Sequence, residues 1–363
     1  MKGSEGESAY AAAGVDIDAQ ERGLREVQEL ARSTFTPGVL SQIGGFGGLF
    51  RPDLSALTEP VLVASADGVG TKLAVARLAG DHSTVGRDLV NHCVNDILVQ
   101  GATPLFFLDY VGAGVLDPAQ LVELVRGVVD GCRDNGCALL GGETAEMPGF
   151  YQRGDYELVG FVVGVVERAR ILDGSRVERG DVLLALPSAG LHTNGYSLAR
   201  KILFEILKLS LRDRIPGDPA KRRVGEWLLA PHLSYLRPLR PLLAHPGLHA
   251  LAHVTGGGLT DNLPRVLPAG LAAEIRFGSW EIPHPFRVLQ DAGDVELEEM
   301  FRVFNMGVGM VAVVGREALP EISKAFAAAG QRALPIGRIV EGERGVIYDL
   351  GLTEGGEETE LER

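Results

Sequence analysis

The residues best suited to chemistry in this chain are short acids, amides and histidines set beside glycine clusters. The clearest set lies between Arg87 and Gln100, where Asp88, Asn91, His92, Asn95 and Asp96 recur at helical spacing and fall on one face of a helix. The opposite face is Leu89, Val90, Cys93, Val94, Ile97 and Leu98. A solvated helix face ordinarily carries Lys and Glu, whereas this stripe has no lysine. It reads either as a polar cavity lining, with Asp96 a hard oxygen ligand for a divalent cation, or as a solvent face that happens to use short residues.

Further loops repeat the theme. Ser65–Lys72 (SADGVGTK) brings Asp67, Gly68, Gly70 and Thr71 to one turn between a strand and a helix, a combination suited to Mg²⁺ and phosphate oxygens. It is not a Walker A loop, because the G-x-x-x-x-G-K-[ST] order is missing. Gly141–Met147 (GGETAEM) adds Glu143 and Glu146, which face one site if the segment is helical. Carboxylates gathered at one place repel unless a cation offsets their charge. Later, Gly190–Ser197 (GLHTNGYS) sets His192 and Asn194 before a helix. His253–Gly258 (HVTGGG) sets Thr255, Gly256, Gly257 and Gly258 as a phosphate cradle at another. The remaining histidines, His82, His232, His245, His249 and His284, have no such surroundings and read as core or surface residues.

These loops need a scaffold, and the chain is long enough for two cores at 363 residues. Short apolar runs alternate with amphipathic helices throughout, so the expected fold class is α/β or α+β with two mixed-sheet domains. Expected strands include residues 61–65, PLFFLDY ending at Asp109, CALLGG, 157–167 and 181–188. A polar arm covers residues 1–22. A polar stretch near Arg168–Gly180 gives the expected division: residues 1–168, then 169–345, then a tail at 346–363 whose last ten residues carry five glutamates. The net charge of −13 and the lack of a dense Lys/Arg block exclude a nucleic-acid binder. No run approaches a membrane span, no signal peptide opens the chain, and three scattered cysteines suit reduced thiols, so a cytoplasmic location is expected.

Taken in order, AGVDIDA, GGFGG, DGVGTK, HCVNDILVQGATPLFFLDY, GGETAEMPGFY, GLHTNGYSL, HVTGGG and FNMGVGM resemble the aminoimidazole ribonucleotide synthetases, the phosphoribosylformylglycinamidine cyclo-ligases of purine biosynthesis. The resemblance runs from about Tyr10 to Ile339. It implies a fold shared with formylglycinamidine ribonucleotide synthetase, selenophosphate synthetase and thiamine-phosphate kinase, and a homodimer whose N-terminal sheets join. It also implies ATP-dependent closure of formylglycinamidine ribonucleotide to aminoimidazole ribonucleotide, with Mg²⁺ as the cofactor.

Carried onto this chain, Asp67, Asp96 and Glu143 become the metal ligands. Gly44, Gly45, Phe46, Gly47 and Gly48 form the loop over the nucleotide, with Asp67, Gly68, Gly70, Thr71, Asn95 and Asp96 also at ATP. Thr255, Gly256, Gly257, Gly258 and Asn194 take the substrate phosphate. His192, His253 and Lys72 are the expected catalytic residues, Lys72 through its charge on a phosphate. Family members often place Lys and Arg before the glycine loop; this chain has ELARSTFTPGV, with Arg32 and no lysine. The absence of any cysteine before Cys93 separates it from selenophosphate synthetases. A catalytically silent ATP-binding scaffold is the reading from a different class.

Overall fold

In the computed structural model, residues 17–115 and 117–351 are described. The expected polar arm lies outside them up to residue 16, as do residues 352–363 of the expected acidic tail. The chain divides into two compact units, one of residues 1–94 and 104–165 and one of 95–103 and 166–363.

The N-terminal unit is built on a four-stranded sheet in the order β1-β4-β2-β3. Its strands are β1 (Pro60–Gly68), β2 (Thr103–Ala113), β3 (Ala138–Glu146) and β4 (Tyr156–Glu167). β2 and β3 run parallel, with Tyr110 opposite Glu143. Among the described residues four helices accompany it: α1 (Ile17–Arg32), α2 (Lys72–Ala79), α3 (Val85–Leu98) and α4 (Pro118–Asn135). Asp117 caps α4 by accepting from the Ala119 and Gln120 amides, Pro118 occupies its first turn, and Gly136 ends it at φ 68°. The apolar face of α3 is wholly buried, Leu89, Val90, Cys93, Val94, Ile97 and Leu98 included. Cys132 and Cys137 are buried and free as well.

GGETAEM is a strand rather than a helix, because it completes the pairing of β3 with β2. Glu143 and Glu146, an odd number of residues apart, therefore point to opposite faces, and the shared site expected of them does not form. β1 and β3 are the two edges of this sheet. Three interstrand steps, about 14 Å across the sheet, separate the strand of Asp67 from that of Glu143 within one chain.

The C-terminal unit holds a six-stranded sheet in the order β10-β7-β9-β5-β8-β6. It comprises β5 (Val182–Pro187), β6 (Leu248–His253), β7 (Leu271–Arg276), β8 (Val308–Val314), β9 (Leu334–Glu341) and β10 (Val346–Asp349). All its pairings are antiparallel except β10 with β7. β8, next to the β6 edge, is buried at every residue, which accounts for its continuous apolar run. Val346–Asp349, expected as the start of the tail, form the edge strand β10 instead.

Candidate functional site

The polar stripe of α3 is not a solvent face. Asp88, Asn91, His92 and Asn95 are all buried, and each has a partner. Asp88 meets Lys72 Nζ at 2.6 Å, both side chains fully buried. Asn91 Oδ1 accepts from Asn135 at 2.7 Å. His92 Nε2 lies 3.6 Å from Asp67 Oδ2 at the end of β1. Short side chains occur along this face because packed elements cover it, and longer ones would not fit.

Lys72 is the clearest correction. The expected phosphate contact is replaced by a closed ion pair, in which burial pushes the ammonium below the ordinary lysine value and the Asp88 carboxylate opposes that shift. An ammonium with no exposed surface cannot meet a triphosphate, so Lys72 serves the core of the N-terminal unit.

The glycine loop Gly44–Gly48 borders a cavity of about 620 Å³ whose walls include Ala31, Leu108, Asp109, Leu140 and Glu143. Gly44 has φ 102°. A side chain at Gly48 would collide with Leu140, so the loop lies directly on the cavity wall. Phe46 stands fully exposed at its tip. Asp109, read beforehand only as the end of a strand, shares the cavity wall with Glu143. Desolvation pushes the Asp109 carboxyl up to about 7. A carboxyl whose folded value is raised favours folding at low pH, and that advantage is lost as pH rises from about 4 towards 7. Asp109→Asn should therefore raise the melting temperature at pH 8, and the gain should vanish near pH 4. A constant difference across that range would remove desolvation as the cause.

In the C-terminal unit the two histidine loops meet. Asp96, at the end of α3, accepts a hydrogen bond from His253 Nδ1 at 2.8 Å, while its side chain stays 26% exposed. His253 Nε2 lies 3.0 Å from His232 Nε2. His232 Nδ1 lies 3.3 Å from Thr193 Oγ1. Asn95 anchors the same group: its Oδ1 accepts from the Tyr235 amide at 3.0 Å and its Nδ2 donates to Leu233 O at 2.8 Å.

His192 turns inward. Its backbone takes φ 60°, its ring stacks on His232 at 4.0 Å and 22°, and its Nε2 accepts from the Ala189 amide. An expected contact with reacting atoms is thus replaced by a buried backing role. Left-handed backbone on a β-carbon residue costs about 1–3 kcal/mol and is held only where packing dictates it. Gly309, within the FNMGVGM run, supplies the room, since a side chain there would collide with the Tyr235 hydroxyl and the His192 ring.

The residues expected as a phosphate cradle adjoin this cluster through Asn194 and Gly256. Asn194 Oδ1 lies 3.3 Å from where a side chain on Gly256 would begin. Gly257 and Gly258 have φ 94° and 58°. Asn262 Nδ2 donates to the carbonyls of Gly256 and Gly258, and Thr255 Oγ1 donates to Asn262 Oδ1, which stiffens the turn. The following helix, Gly258–Asn262, is one turn long. Its dipole is small, and any anion held here relies on side chains and the exposed Gly256 backbone. Asp67, 37% exposed and 3.6 Å from His92, lies at the end of β1, and Gly70 follows it at φ 70°.

His232 is the residue that sequence reasoning missed. Nothing adjacent in the chain distinguishes it, and its partner Asn95 is 137 residues away.

Residues 53–166 match the N-terminal domain and residues 178–349 the C-terminal domain of the AIR synthase related proteins. The phosphoribosylformylglycinamidine cyclo-ligase of Trichlorobacter lovleyi is 49% identical over 332 residues, covering 92% of this chain and 95% of that protein. Among solved structures, thiamine-monophosphate kinase from Stenotrophomonas maltophilia K279a superposes with a TM-score of 0.65 at 20% identity, covering 89% of this chain and 96% of that one. The hydrogenase maturation protein HypE in complex with ATP superposes with a TM-score of 0.60 at 17% identity, covering 95% and 92%. At those identities the two structures establish the two-domain fold. No described helix is long and apolar enough to cross a membrane. With about half of its residues shared along almost the full length of both chains, this chain belongs to the phosphoribosylformylglycinamidine cyclo-ligase family of the AIR synthase related proteins.

Proposed function

We propose that this protein uses ATP to close the ring of formylglycinamidine ribonucleotide, giving aminoimidazole ribonucleotide, ADP and phosphate in purine biosynthesis. The observation that carries the chemistry is the Asp96–His253 hydrogen bond, which leaves an oriented, partly exposed carboxylate at the mouth of a buried histidine cluster. Family membership supplies the reaction.

The γ-phosphoryl group of ATP passes to the formyl oxygen, turning it into a good leaving group. The amidine-side nitrogen then attacks the activated carbon, and phosphate departs as the five-membered ring closes. Both reacting groups belong to one molecule, so the enzyme's task is positioning and charge stabilisation. The carboxylates fit Mg²⁺: Asp67 and Asp96 offer hard oxygens with enough exposure for a hydrated cation to reach. When bound, Mg²⁺ would offset the charge of the triphosphate. Gly44, Gly45, Gly47 and Gly48 let Phe46 fold over the base, and Gly68, Gly70, Thr71 and Asn95 border the triphosphate. Asn194 with Thr255–Gly258 takes the ribose phosphate. His253 orients Asp96, and His192 backs the cluster.

Two copies of the chain are proposed to pair through the open edges β1 and β3, each nine residues long. Edge strands left open are costly to a protein alone. Pairing of this kind lets Glu143 of one copy serve the nucleotide bound with Asp67 of the other. Sedimentation should give twice the 38.7 kDa chain mass; a monomer at micromolar concentration would refute it. A cytoplasmic location belongs to the same proposal and is checked by cell fractionation. The reaction itself is tested by ADP release with and without formylglycinamidine ribonucleotide. Release only in its presence, with stoichiometric aminoimidazole product, is expected; absent or substrate-independent release would remove the reading.

A further inference from the structure

His232 has no exposed surface, and both of its ring nitrogens face polar partners. The positions of the protons follow from what each partner can do. Ionised Asp96 only accepts, so His253 Nδ1 carries the hydrogen of their 2.8 Å bond. The next contact joins His253 Nε2 to His232 Nε2 at 3.0 Å. His232 Nδ1 in turn faces the Thr193 hydroxyl at 3.3 Å. Asn95 borders the same ring: its amide nitrogen carries two hydrogens, one donated to Leu233 O and the other reaching His232 Nε2 at 3.3 Å. The line of contacts runs from Thr193 through His232 and His253 to Asp96.

We infer that His232 is a positioning residue: it grips His253 at Nε2, so that the imidazole is fixed with Nδ1–H aimed at Asp96 and one carboxylate oxygen is held in place. Without that grip His253 would be free to turn about its side-chain bonds, and Asp96 would lose its fixed orientation. The stacked ring of His192 holds His232 from another side. The inference rests on the reading of Asp96 as the carboxylate that meets the cation of Mg–ATP. Groups that orient a ligating residue from behind typically change metal affinity or activity by about 10–100-fold when removed.

The bond can be read without catalysis. In protein labelled with ¹⁵N-histidine, an N–H···N hydrogen bond transmits a scalar coupling between the two nitrogens. Coupling between His232 Nε2 and His253 Nε2 is expected, with His253 assigned by its loss in His253→Gln. No coupling in the folded wild-type protein would overturn the inference. In His232→Leu the Mg²⁺ concentration for half-maximal ATP binding should rise about tenfold, and His232→Gln, whose amide still donates, should recover most of the loss. If His232→Leu does not fold, Thr193→Val, which keeps the side-chain volume, decides: a weakened coupling with weaker Mg²⁺ dependence supports the inference, and unchanged values overturn it. Asp96→Asn separates the two claims. An Asp96 effect without a His232 effect sinks this inference alone, whereas unaltered Mg–ATP binding in Asp96→Asn sinks the functional reading beneath it.

Discussion

Asp96→Asn is expected to lower turnover by at least about tenfold while leaving the melting temperature close to that of the wild-type protein. The amide keeps the size of the carboxylate and can still accept from His253 Nδ1, so the local packing survives. What disappears is the negative charge, and with it the hard anionic oxygen that binds a divalent cation. The side chain is partly exposed, so the loss of charge costs little in folding. Steady-state ADP release measured across Mg²⁺ concentrations, together with a thermal melt, checks both halves. Near-normal turnover would remove Asp96 from the nucleotide's cation.

Lys72→Met should destabilise the protein by about 3–5 kcal/mol, because it strands Asp88 as a buried carboxylate with its cation gone. Replacing both, as Lys72→Met with Asp88→Leu, should recover much of that loss, since an apolar pair of similar volume carries no desolvation cost. Urea unfolding of the two single variants and the double variant measures the coupling. A stable Lys72→Met protein with impaired ATP binding would instead return Lys72 to the phosphates. The contrast with Asp96 is instructive. Both residues border the same helix, yet the exposed one is expected to matter for turnover and the buried one for folding.

Much of this was legible in the chain. The stripe Asp88–Asn91–His92–Asn95–Asp96 stood out by its lack of lysine and read as a cavity lining or a solvent face; the structure instead packs its first four residues against partners and leaves Asp96 partly exposed. Ordered glycine motifs carried the family, and apolar runs located β1, β4 and β5. Other features were not local enough to read. GGETAEM has acids at helical spacing, but its backbone is claimed by pairing with β2, which no spacing reveals. Lys72 follows a glycine turn as a phosphate-binding lysine would, and only the packing of α2 against α3 shows that Asp88 takes it. His232 sits in an apolar stretch, and its role depends on partners from segments 21, 39 and 137 residues away. Asp109 looked like a strand terminus because the cavity beside it is closed by a loop about sixty residues earlier in the chain.

The claim on which the rest depends is that a divalent cation, held by Asp96 in the orientation His253 gives it, couples ATP to this protein. Calorimetric titration of ATP into the wild-type protein and into Asp96→Asn, each with Mg²⁺ and with a chelator, tests this directly. Tight binding is predicted only for the wild-type protein with Mg²⁺. Equal ATP affinity in all four titrations would contradict it.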